Sequence, residues 1–107
     1  MVKPFIALSL LGLIFSASAQ EMSGEKVYQL YCMGCHDLGP VHPGTAQLSR
    51  KRGKDQAVIK GRQDLAPEYI RQVVRHGLIE MPPFRPSEIN EEQLQALIAY
   101  LKGQKEE

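Results

Sequence analysis

Apolar residues recur at three- and four-residue intervals in three separate stretches of the chain, the spacing of helices that bury one face. The last stretch is the most fully specified: Leu94, Leu97, Ile98 and Leu101 form its stripe. Asn90 is in position to cap it, Glu91 and Glu92 suit its first turn, and Gln93 occupies the reciprocal capping position. Ile89 and Leu94 fall at the two positions of a hydrophobic staple, and Gly103 marks the end. A second helix is predicted from Pro67 to His76, with Tyr69, Ile70, Val73 and Val74 as its buried stripe and Gly77 as terminator. Another runs from Gly24 to about Cys32, capped by Ser23, with Val27, Leu30 and Tyr31 on one face. Between His36 and Pro67 the pattern fades into turn chemistry, Gly39-Pro40 and Pro43-Gly44, with a short helix expected near Ala46 to Ser49. No strand pattern precedes Cys32, so the chain reads as all-α. A stretch that long without regular structure is uncommon, and it needs some apolar surface to pack on.

The first residues follow a different logic. Lys3 is followed by the apolar run Phe5 to Phe15, and Ala17-Ser18-Ala19 is a small-x-small site. That is the plan of a secretory signal peptide, and the run is shorter than the about 20 residues of a membrane-spanning helix. Residues 1–19 are therefore expected to be removed, leaving 20–107 as one domain without a membrane span. Removing Lys3 brings the 13 basic residues of the whole chain level with its 12 acidic ones. A near-neutral chain without a basic face excludes nucleic acid as an expected partner. A domain of roughly 88 residues has only a marginal core of its own, so a non-protein group is expected to help fill it.

Both cysteines lie in Cys32-Met33-Gly34-Cys35-His36, and C-x-x-C-H is the attachment signature of c-type haem. Two intervening residues let one turn of backbone present both thiols to the two vinyl groups of a porphyrin. The next residue, His36, then falls where it can ligate the iron. A disulfide here would close too small a loop to stabilise much. A thioredoxin-like dithiol needs a strand–helix unit around the motif, and a zinc site needs further ligands. Haem attachment of this kind takes place outside the cytoplasm, in keeping with the expected export, and the bacterial periplasm is the expected location.

Met22, Met33, His42, His76 and Met81 are the candidates for the second axial position. Met33 is trapped between the attachment cysteines, Met22 lies near the expected frayed start, His42 sits in a turn-like segment, and His76 suits a helix end. Met81 opens Met81-Pro82-Pro83-Phe84, far enough along to reach the other face, and the following proline favours an extended backbone. Histidine–methionine ligation raises a haem's potential. Arg62 is the first choice as a donor to the haem propionates, followed by Lys60 and Arg50. The basic run Arg50-Lys51-Arg52 with Lys54 reads as a solvated loop.

These residues together resemble the class I cytochromes c over nearly the whole mature chain. In that family a glycine and an aromatic of the first helix cross a leucine and a tyrosine of the last. Gly24 and Tyr28, and Leu97 and Tyr100, stand at those spacings. The resemblance implies a cytochrome c fold, a small helical domain wrapped around one covalently attached haem c, with Tyr28, Leu97 and Tyr100 packing at the crossing or on the haem. The stretch Leu65 to Leu101, with Tyr69-Ile70, Val74-Arg75-His76-Gly77, Met81-Pro82-Pro83-Phe84 and Tyr100-Leu101, is similar to the small cytochrome subunits of flavocytochromes of the p-cresol methylhydroxylase type. Val41 to Lys54 is longer than expected for that type. The resemblance implies an electron carrier rather than an enzyme. Its donor would be a flavoprotein dehydrogenase or hydroxylase subunit that oxidises a 4-alkylphenol, and its acceptor another exported redox carrier. Leu78, Ile79, Pro83 and Phe84 are the expected contact patch. Three alternatives stay open: a free-standing cytochrome without a fixed partner, a haem enzyme or gas binder if Met81 is not a ligand, and an exported dithiol oxidoreductase.

Overall fold

Ser23 starts the helical part of the chain, its hydroxyl accepting a hydrogen bond from the Lys26 amide at 3.2 Å. In the computed structural model, residues 2–4, 12 and 21–104 are described. Most of the expected signal segment, including its cleavage site, lies outside them. Five α-helices follow one another: α1 (Gly24–Tyr31), α2 (Met33–His36), α3 (Pro43–Arg52), α4 (Pro67–His76) and α5 (Glu91–Leu101), with a 3₁₀ turn at Lys54–Gln56 after α3. Among the described residues there is no strand, only an isolated pairing of Leu78 with Met81. No helix among them is long and apolar enough to cross a membrane.

The first and last helices pack on each other, and α4 packs on α5. Their shared core holds Val27 and Tyr28 of α1, Ile70 and Val74 of α4, and Leu94, Leu97, Ile98 and Leu101 of α5, with Ile89 beside them. The entry to α5 forms as its sequence dictates. Asn90 Oδ1 accepts from the Gln93 amide and Gln93 Oε1 accepts from the Asn90 amide, each at 2.8 Å. Ile89 and Leu94, the staple pair, are both wholly buried.

Three expectations fail. Leu30 is 55% exposed, because the buried arc of α1 is taken by Gly24, Val27 and Tyr28. Tyr69 is 47% exposed for the same reason, since α4 turns Ile70 and Val74 inward. Between His36 and Pro67 more than half of the residues are irregular, as expected, but the helix is not confined to Ala46–Ser49: α3 spans Pro43–Arg52. Its mostly polar sequence buries only Thr45, so no apolar stripe announces it. Pro43 opens it in the first turn, where a missing N–H costs nothing. The run Arg50-Lys51-Arg52 is therefore the last turn of a helix and not a loop, and its positive charges meet the negative end of the helix dipole.

Long-range tethers fasten the irregular segments. The Gly61 amide donates to the Leu101 carbonyl at 2.7 Å. Lys102 Nζ donates to the Gln63 and Leu65 carbonyls at 2.9 and 2.7 Å. Arg75 reaches from α4 to the Ile89 carbonyl at 2.7 Å and the Phe84 carbonyl at 3.3 Å, with Glu91 beside it.

Candidate functional site

Cys32 ends α1, its amide donating to the Tyr28 carbonyl at 2.9 Å, and its own carbonyl then accepts from the His36 amide at 2.9 Å. Cys32, Cys35 and His36 thus stand at i, i+3 and i+4 around one turn, the spacing that puts three side chains on one helical face. The cysteines are not joined to each other; Cys32 is buried and Cys35 exposed. Burial, with a smaller contribution from Cys35, pushes the Cys32 thiol up to about 12. A nucleophilic dithiol needs the opposite shift in its attacking cysteine; Cys32 is a neutral thiol at physiological pH.

Burial holds the His36 imidazole below its ordinary range, which favours the neutral ring a metal requires. Its Nδ1 is buried without a hydrogen-bond partner. A second buried orphan is the Tyr28 hydroxyl. Burial raises it to about 12, aided by the charge of Asp37. The Tyr28 and Tyr100 rings lie 5.5 Å apart between centroids, with Lys60 Nζ over both at 5.9 and 5.5 Å. Two unpaired thiols and an imidazole held toward its neutral form by burial, all on one turn, are a donor set that fits a covalently held haem.

Met81 lies on a strap between α4 and α5. Gly77 ends α4 at φ 74°, ψ 175°, a region essentially restricted to glycine. Leu78 and Met81 then exchange backbone hydrogen bonds of 3.1 and 2.9 Å, closing a two-residue turn with Ile79 at φ 55°. The Phe84 amide donates to the Val74 carbonyl at 2.7 Å, returning the strap to α4. The Phe84 ring meets Tyr31 edge-on at 5.7 Å. Since Tyr31 directly precedes Cys32, this contact brings the end of the strap beside the thiol motif. Met81 and Phe84 are half-buried, and Leu78 and Ile79 are exposed.

The remaining candidates are accounted for elsewhere. The Arg62 guanidinium is engaged by Asp64 and by the Gln56 carbonyl. Arg50 and Lys54 edge an apolar cleft of about 550 Å³ beside α3, walled by Pro40, Thr45, Ala46 and Val58, which none of Cys32, Cys35, His36 and Met81 lines. His42 Nδ1 is 2.9 Å from the Gly34 carbonyl, and His76 is the exposed last residue of α4. Met22 is half-buried against the core, not frayed. Arg75 and Thr45 carry structural weight that sequence reading missed. Their partners are backbone carbonyls brought near by the fold, which leave no spacing signal.

Comparison with known proteins agrees with this geometry. The sequence model of the family described as cytochrome c oxidase, cbb3-type, subunit III matches residues 19–101. No curated protein matches. Among solved structures, a chain of p-cresol methylhydroxylase with substrate bound is 30% identical with a TM-score of 0.59, over 78% of this chain and 95% of that one. A chain of the same enzyme at 2.5 Å resolution gives the same identity and TM-score, over 94% of its length. The all-α architecture is thus a cytochrome c fold.

Proposed function

The chain belongs to the cytochrome c family of that model, and from this premise we propose that it carries single electrons on one haem c attached through Cys32 and Cys35, with His36 and Met81 as axial ligands. Bound there, the haem supplies a one-electron iron couple. The chain's own part is to hold two ligands still and keep water away from them. The observation that carries the choice of Met81 is the Phe84–Tyr31 contact, which ties its strap to the residue before Cys32. Both ends of the strap are hydrogen-bonded to α4, so a soft sulfur there is held by backbone rather than by its own flexible side chain.

The electron donor in this reading is a flavoprotein subunit that oxidises a 4-alkylphenol, and the acceptor is another exported redox carrier. Support comes from the 30% identity to a p-cresol methylhydroxylase chain that this one spans almost completely. The exposed Leu78 and Ile79, with Pro83 and Phe84, would supply the apolar contact patch. Export to the periplasm with removal of residues 1–19 belongs to the same reading.

Absorption spectra of the exported protein, with and without carbon monoxide, and copurification from the native host test it. A c-type spectrum that carbon monoxide does not alter, with the far-red sulfur–iron band in the ferric form, is expected, together with a flavin-containing partner. A carbon monoxide shift would remove Met81 and favour ligand chemistry at the iron. Purification without a flavoprotein would favour a free-standing carrier.

A further inference from the structure

The helix that bears His36 is only four residues long, far below the length at which a helix holds itself together. Its carbonyls have few partners within such a short segment. What fixes the direction of the His36 ring must therefore come from outside α2. The segment that meets it is His42-Pro43-Gly44-Thr45, where α3 begins.

Three contacts converge there. His42 Nδ1 lies 2.9 Å from the Gly34 carbonyl, a bond that needs the tautomer with hydrogen on Nδ1. The Thr45 hydroxyl donates to the Asp37 carbonyl at 2.7 Å, and Thr45 is buried. These bonds hold α2 from both sides of His36. Between them Gly44 presses its backbone against the ring. A Cβ added there would stand 2.7 Å from the Cys35 carbonyl oxygen, 2.8 Å from His36 Cε1 and 2.9 Å from His36 Nδ1. Non-bonded contacts of that length do not persist, so any side chain at this position must turn the imidazole or push α2 away.

We propose that His42, Gly44 and Thr45 form a brace that sets the plane of the His36 ring and so tunes the haem it ligates. The three are positioning residues: Gly44 supplies the flat floor, and His42 and Thr45 clamp the backbone on either side. The proposal rests on the reading of His36 as an iron ligand. Closeness and not bonding defines the role of Gly44, which is why no larger residue can substitute for it.

The test uses the exported holoprotein and its Gly44→Ala, Thr45→Val and Thr45→Ser variants, with Lys51→Ala as a control on the exposed part of α3. The readouts are the paramagnetically shifted haem methyl resonances of the ferric protein, which report the ligand ring plane, the midpoint potential, and the urea unfolding midpoint. Gly44→Ala and Thr45→Val are expected to reorder the methyl shifts and move the potential. Thr45→Ser should return both to the wild-type values, and Lys51→Ala should change neither. Lowered stability with wild-type methyl shifts and potential would overturn the brace and leave a purely structural contact. If Gly44→Ala accumulates no holoprotein, the Thr45 pair decides alone. A wild-type spectrum without a histidine ligand would instead remove the underlying reading, an outcome visible before any variant is made.

Discussion

Replacing Gly77 by alanine tests the geometry of the Met81 strap most directly. At φ 74°, ψ 175° the new side chain would impose a backbone cost of about 1–3 kcal/mol. Its Cβ would also stand 2.5 Å from the Met81 carbonyl oxygen and 3.1 Å from the Pro83 nitrogen, and backbone atoms cannot swing aside as a flexible side chain can. Because that carbonyl accepts the Leu78 amide, and the Met81 amide donates back, relieving the clash opens both bonds of the turn, at about 1 kcal/mol each. The sum is about 3–5 kcal/mol, a large share of the stability of a domain of this size. Urea unfolding followed by far-ultraviolet circular dichroism measures it, and the far-red band of the ferric protein reports Met81 in the same samples. The expected result is a strongly lowered midpoint together with loss of that band. A change in stability below about 0.5 kcal/mol, the range of inconsequential surface substitutions, with the band intact would refute the account of the strap.

Met81→Ala should leave the haem attached, lower the potential and admit carbon monoxide; an unaltered potential would end the ligand assignment. Asn90→Ala removes half of the capping box and should cost about 1 kcal/mol in urea unfolding, with no change in the absorption spectrum. Tyr28 is raised from 10.0 to about 12 by burial, so between those values the unfolded chain gives up a proton that the folded one keeps. Its contribution to stability is complete below pH 10 and falls as pH rises toward 12, by at most about 3 kcal/mol. Tyr28→Phe should flatten that fall relative to wild type in unfolding midpoints taken from pH 9 to 12, and equal slopes would contradict the shift.

The parts of the fold written in local chemistry were legible. Asn90 and Gln93 are three residues apart and cap one helix without help from elsewhere, and Gly77 and Pro67 bound α4 by their own backbone limits. Only the middle of α3 was legible, because its residues bury almost nothing and periodicity had no contrast to register at its ends. Leu30 and Tyr69 misled because an apolar residue at helical spacing need not fall within the arc that a neighbour covers. At the site, Cys32, Cys35 and His36 declare themselves by spacing alone. The contacts of Gly44 with His36, and of Arg75 with Phe84 and Ile89, exist only after distant segments have met. No pattern read along one stretch of chain could have shown them.

The packing of α1 on α5 has a consequence for the order of events in the life of the chain. Helix α1, with Val27 and Tyr28 a few residues before the thiol motif, packs on α5, which brings Leu94, Leu97 and Leu101 into the same core from near the other end. A chain synthesised or threaded from its N-terminus therefore has nothing to close over α1 until its last helix emerges. Contacts so distant in sequence also form slowly, because a long loop must be closed before they bring any gain. In a chain made in that order, the core that includes Cys32 would lack its α5 side until the end.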